Sequence, residues 1–132
     1  MKFESPNNEH RLSFEWKGEL GMSGPEYGTM IIDDNLEIRG TQPSVVFSED
    51  SKYVAFPALK GVDTGPNYAP DRNNVGFRII LLNLENKEFK YLSGNKGYAD
   101  YQLQELSNGV LRYFVNGELK SMNVQKVNWK KS

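Results

Sequence analysis

The sequence predicts an all-β protein made of two packed antiparallel sheets. Three observations lead there. Apolar residues alternate with polar ones or run in short stretches, and almost nowhere recur at helical spacing. Gly, Pro, Asn and Asp punctuate these stretches as turn residues do. Near the end, Asn108-Gly109 and Asn116-Gly117 flank the apolar run Val110 to Val115. Asn-Gly is the preferred pair for a two-residue hairpin whose central positions both need positive φ.

The elements follow in order. Leu12, Phe14 and Trp16 alternate with Ser13, Glu15 and Lys17, which reads as a strand with one buried and one wet face. Thr29 to Ile32 is a second strand, and Asp33-Asp34-Asn35 turns it into Leu36 to Arg39. Ser44 to Phe47 and Tyr53 to Phe56 form a hairpin through Ser48 to Lys52. Phe77 to Leu82 is apolar apart from Arg78, as expected of a central strand covered on both faces. Glu85-Asn86-Lys87 turns it into Glu88 to Leu92. The Asn-Gly pairs predict a closing meander of strands at 100–107, 110–115 and 118–124. Two stretches lack strand character: Gly18 to Gly28, and Lys60 to Val75, which is longer than connections usually are in compact domains.

A chain of 132 residues suits one domain, 1–132, with a core large enough to need no staple. Cysteine is absent, which removes disulfides and thiolate metal sites and suits a reducing compartment; a cytoplasmic location is the expectation. The opening Met-Lys-Phe-Glu-Ser-Pro has no apolar signal core, and no apolar run approaches a membrane span. The chain reads as a whole gene product. Net charge is −1, against general nucleic-acid binding. The charge is unevenly spread: residues 1–75 carry 12 Asp/Glu and 7 Lys/Arg, or −5, and residues 76–132 carry 5 and 9, or +4. Such a distribution suits an acidic face that meets a basic partner.

Residues 44–56, Ser-Val-Val-Phe-Ser-Glu-Asp-Ser-Lys-Tyr-Val-Ala-Phe, resemble the TolB-like or WD40-like propeller repeat. In that repeat Phe-Ser-x-Asp-Gly-Lys-x-Val-Ala-Phe joins the first two strands of a blade. Phe47, Ser48, Asp50, Lys52, Val54, Ala55 and Phe56 match, and Ser51 stands where the repeat has glycine, which implies an altered turn. The resemblance covers 44–92, about one blade, with 77–92 as its third and fourth strands. The chain is too short for the four or more blades of a closed propeller. The resemblance therefore implies blade-like meanders in a partial propeller or β-sandwich, not a closed propeller.

Catalytic parts are missing. His10 is the only histidine and reads as a solvated surface residue, so the usual triads and zinc sites lack their members. Gly18, Gly21 and Gly24 make no dinucleotide fingerprint, and Asp71-Arg-Asn73 begins like a calcium loop but places Val75 and Leu82 at ligand positions. Asp33/Asp34 and Glu49/Asp50 are carboxylate pairs in turns, where such residues serve solvation. No cofactor and no metal is expected, and the protein is expected not to be an enzyme. Tyr27 and Tyr68 each lie in an irregular stretch near proline, as exposed contact residues do. By general character the chain resembles bacterial contact-dependent-inhibition immunity proteins. That resemblance implies a cognate protein toxin as partner, such as a nuclease with a basic cleft, neutralised by occlusion, with no direct nucleic-acid or membrane binding. The contact residues expected from loop position and charge are Glu26, Tyr27, Asp33, Asp34, Asp63, Tyr68, Asp71 and Arg72. The alternatives are a scaffold module completing a propeller-like oligomer, and a small-ligand or carbohydrate-binding module.

Overall fold

The computed structural model describes residues 1–19, 26–59, 77–92, 101–115, 117–124 and 130–131. Among these the secondary structure is β: β1 (Lys2–Glu4), β2 (Arg11–Glu19), β3 (Glu26–Ile32), β4 (Leu36–Thr41), β5 (Val46–Phe47), β6 (Tyr53–Leu59), β7 (Phe77–Asn83), β8 (Glu88–Tyr91), β9 (Tyr101–Ser107), β10 (Val110–Val115), β11 (Glu118–Asn123) and β12 (Lys130–Lys131). The larger sheet has the order β1-β2-β3-β4-β6-β7-β8-β12, with β5 also paired to β6; the smaller is β11-β10-β9. Every strand pairing within the two sheets is antiparallel, and neither sheet closes into a barrel.

Local chemistry accounts for most of the hairpins. Asn108 and Gly109 have φ of 54° and 74°, so the β9–β10 turn has the left-handed backbone that the Asn-Gly pair predicts. Asp33 and Asp34, at φ 51° and 60°, turn β3 into β4, using the tolerance of aspartate for this region. In the β7–β8 turn the Asn83 side chain accepts the backbone N–H groups of Glu85 and Asn86, and Lys87 closes the turn at φ 62°.

The blade-like motif is a turn assembled from its own side chains. Asp50 accepts the Ser48 hydroxyl and the Lys52 N–H, and the Ser48 oxygen accepts the Tyr53 N–H. The hydrogen bond from Ser48, followed by that from Lys52, holds the Asp50 carboxyl below its ordinary range. Ser51 adopts φ 61°, the conformation a glycine would take there. The Ser51 oxygen accepts the Asn7 N–H at 3.0 Å. Ser51→Gly relieves the left-handed strain and forfeits that bond, so the urea midpoint is expected to move by less than about 1 kcal/mol of stability.

Two apolar layers result. Ala55, Ile79 and Leu81 on one face of β6 and β7 pack against Leu103, Leu111 and Tyr113 of the smaller sheet. The opposite face, with Val54, Phe56, Ile80 and Leu82, packs against Leu12, Met30 and Ile38 from β2 to β4. Strand β7 is thus buried on both sides, as its run of apolar residues predicts, with Ile79 to Leu82 no more than 1% exposed.

The larger sheet bends so that β2 to β4 cover one side of β6 and β7, while the smaller sheet covers the other. Two bulges flank Gly28: β2 carries Lys17 as an extra residue opposite β3, and β4 carries Gly40, at φ 75°, as an extra residue on the other side. Strand β4 then reaches β6 through the single pair Thr41↔Ala58. Pro57 sits beside this junction. Its carbonyl accepts the Gln42 N–H. Its ring nitrogen, on the same side, therefore faces the gap between β4 and β5, where no ladder donor is required.

One departure from the alternating pattern stands beside the β2 bulge. Leu12 and Phe14 are buried, but Trp16 is 59% exposed. Alternation predicts burial for all three. Trp16 is the last residue of the regular pairing before the bulge, opposite Gly28, which has no side chain to cover it.

Candidate functional site

The smaller sheet would expose the outer edge of β9, and residues 42–48 close it. Tyr101 and Leu103 donate their backbone N–H groups to the side chains of Gln42 and Ser44, and Ser48 forms an isolated parallel bridge with Leu106. This brings the β5–β6 turn beside the end of β9. The Ser107 hydroxyl donates to Glu49 across the seam.

A surface groove of about 370 Å³ runs along this seam. Val46, Phe47 and Leu106 line it with apolar surface, and Glu4, Glu49 and Glu105 add carboxylates. All three glutamates are exposed. Glu4 lies 3.9 Å from Arg11, and Glu105 lies 3.1 Å from Arg112. These are open pairs between residues more than half exposed, worth little in water and exchangeable for a partner's cations. No group of three or more His, Cys, Asp or Glu among the described residues is arranged to hold a metal ion. The groove therefore offers shape, apolar surface and negative charge.

Those of the residues expected from sequence that the structure describes fall elsewhere. Asp33 is half-buried and joins three segments: its Oδ1 accepts the Arg11 N–H at 2.9 Å, and its Oδ2 meets His10 Nδ1 and Lys87 Nζ, each at 2.8 Å. Burial alone would raise the Asp33 pKa. The hydrogen bonds from Lys87, Arg11 and His10, with the Lys87 charge, outweigh it and lower the pKa. His10 is accordingly not a solvated surface residue; its side chain is 17% exposed. Asp34 is exposed at the tip of the same turn. Tyr27 belongs to β3 and not to a loop, and its ring packs partly buried against the inter-sheet core beside Gly18. Glu26 begins β3, paired with Glu19. Asp63, Tyr68, Asp71 and Arg72 lie outside the described residues.

The groove residues carry no sequence signal as a set. Glu4, Glu49 and Glu105 are far apart in the chain; β5 lying beside β9 brings Glu49 to Glu105, and the Asn7–Ser51 hydrogen bond holds the segment after Glu4 against the β5–β6 turn. The one local hint is Glu49-Asp50 in the blade-like turn: Asp50 is taken up by the turn, and Glu49 is left to face the groove.

No helix among the described residues is long and apolar enough to cross a membrane. No protein-family profile, curated protein or solved structure matches the chain.

Proposed function

We propose that the protein is a non-catalytic inhibitor that binds a basic protein partner, a toxin of the kind that bacterial immunity proteins neutralise, and occludes its active site. The observation that supports this reading is the groove along the β5–β9 seam, where an apolar floor carries glutamates from three separate segments. Apolar surface of this kind receives an anchoring side chain, and the surrounding carboxylates steer a positively charged surface onto it. The segments that present the glutamates are tied together by backbone and side-chain hydrogen bonds, so little ordering is needed on binding. No bond is made or broken in this mechanism.

The test is binding to, and suppression of, the toxic product of the gene adjacent to this protein's own. In the double variant Glu49→Lys/Glu105→Lys the association rate constant is expected to fall by about tenfold or more, with a flatter dependence on salt. Glu37→Lys, an exposed site on β4 outside the groove, is the control and is expected to leave the rate nearly unchanged. Absence of any complex, together with undiminished toxicity, would count against inhibition. A complex insensitive to the groove variants would move the interface elsewhere.

A further inference from the structure

Lys90 occupies a position where the inter-sheet layer would be expected to take an apolar side chain. The cross-strand row runs Val46, Ala55, Leu81, Lys90 over β5, β6, β7 and β8. Ala55 and Leu81 belong to the core beneath the smaller sheet. Lys90 is 2% exposed, a rare state for a lysine. Its Nζ donates to the Val124 carbonyl oxygen. Beside it lies a cavity of about 610 Å³, within the range that holds small ligands. Leu81, Leu106 and Val124 give the cavity an apolar wall, and exposed Glu49, Asp50 and Asn108 place its mouth at the surface.

We propose that Lys90 is a covalent attachment site for small neutral carbonyl compounds, which enter this cavity and condense with the side-chain amine. The cavity shares Glu49 and Leu106 with the docking groove, but chemistry at Lys90 does not depend on docking there. Burial disfavours the ammonium form and pushes the Lys90 pKa down. A neutral amine can still donate one N–H to the Val124 carbonyl while its lone pair remains for bonding. The nitrogen lone pair forms a bond to the carbonyl carbon, and the carbonyl oxygen takes up a proton as the nitrogen loses one, giving a carbinolamine. Loss of water then leaves the C=N bond of an imine, with no oxidant or reductant consumed. The apolar wall favours a short aliphatic group. The carboxylates of Glu49 and Asp50 at the mouth oppose an anionic carbonyl compound.

Reductive trapping tests the site directly. The folded protein is treated at pH 7 with propanal and cyanoborohydride, which reduces the imine to a stable secondary amine, and the adducts are mapped by peptide mass spectrometry. Lys90 is expected to be labelled several-fold faster than exposed Lys2, Lys52 and Lys120. With anionic glyoxylate in place of propanal, the preference for Lys90 is expected to shrink, and Glu49→Gln is expected to restore part of it. In concentrated urea the preference should vanish, because it belongs to the folded environment. Labelling of Lys90 no faster than the exposed lysines, or its protection in the folded protein with release only in urea, would overturn the proposal. So would equal labelling by propanal and glyoxylate.

Discussion

Gly28→Ala is expected to destabilise the fold by about 3 kcal/mol, at the upper end of what overpacking costs. An alanine Cβ there would lie 2.1 Å from the Glu15 carbonyl oxygen and 2.6 Å from Phe14 Cζ. The first contact is with backbone of the neighbouring strand, so no rotamer change removes it. The second is with a ring held in the core formed by β2, β3 and β6. Gly28 also lies between the bulge at Lys17 and the bulge at Gly40, so moving β3 away from β2 disturbs the bend that carries β4 to β6. Gly117→Ala is the matched comparison. That glycine has φ 86°, but its added Cβ would meet nothing within 4 Å. Its cost is confined to backbone strain, about 1 kcal/mol. Urea unfolding of the two variants separates the effects, and equal losses would show that the close approach at Gly28 does not matter.

This contrast marks what the sequence could show. The Asn108-Gly109 hairpin, the Asp33-Asp34 turn and the doubly buried strand Ile79 to Leu82 were legible because their signals are local: left-handed turn residues and an uninterrupted apolar run. Ser51 takes the left-handed backbone region at which glycine is the usual residue, and nothing in its own side chain announces that. The bend at Gly28 was not legible. The exposure of Trp16 was not legible either, since it keeps the phase of Leu12 and Phe14 and differs only in standing at the last regular pair before the bulge, opposite Gly28. Side chains joined across the fold escaped for a related reason. His10 reads as a surface residue because its partner, Asp33, is 23 residues away. Lys90 sits between Phe89 and Tyr91 in an ordinary strand pattern, and only the register with Leu81 places it in the core. The groove is wholly a product of topology, since its glutamates belong to segments that meet through the sealing of the β9 edge.

Asp33→Asn is expected to cost about 2 kcal/mol at pH 7 and progressively less as the pH falls below the ordinary carboxylate value of 3.8. Asparagine tolerates the φ of 51° at this position, so the variant changes charge and hydrogen-bonding capacity with little backbone cost. Its carbonyl can keep the Arg11 N–H, but an amide nitrogen replaces the oxygen that meets both His10 and Lys87. The expected loss is therefore the tie between the segment before β2, the β3–β4 turn and the β7–β8 turn. The direction of the pH dependence follows from the carboxyl. Its folded pKa lies below the ordinary 3.8, so the unfolded chain takes up this proton first as the pH falls. The stabilising contribution is complete above 3.8 and disappears as the pH drops through the lower, folded value. Urea unfolding of both proteins from pH 7 downward should show the native protein's advantage steady to about 3.8 and shrinking below it. Lys87→Met supplies the coupling: if the Lys87–Asp33 bond carries the effect, Asp33→Asn should cost markedly less in the Lys87→Met background than in the native one. Equal costs in the two backgrounds would assign the loss to the His10 and Arg11 contacts, and a constant difference across the pH range would show that the carboxylate charge is not what stabilises the turn.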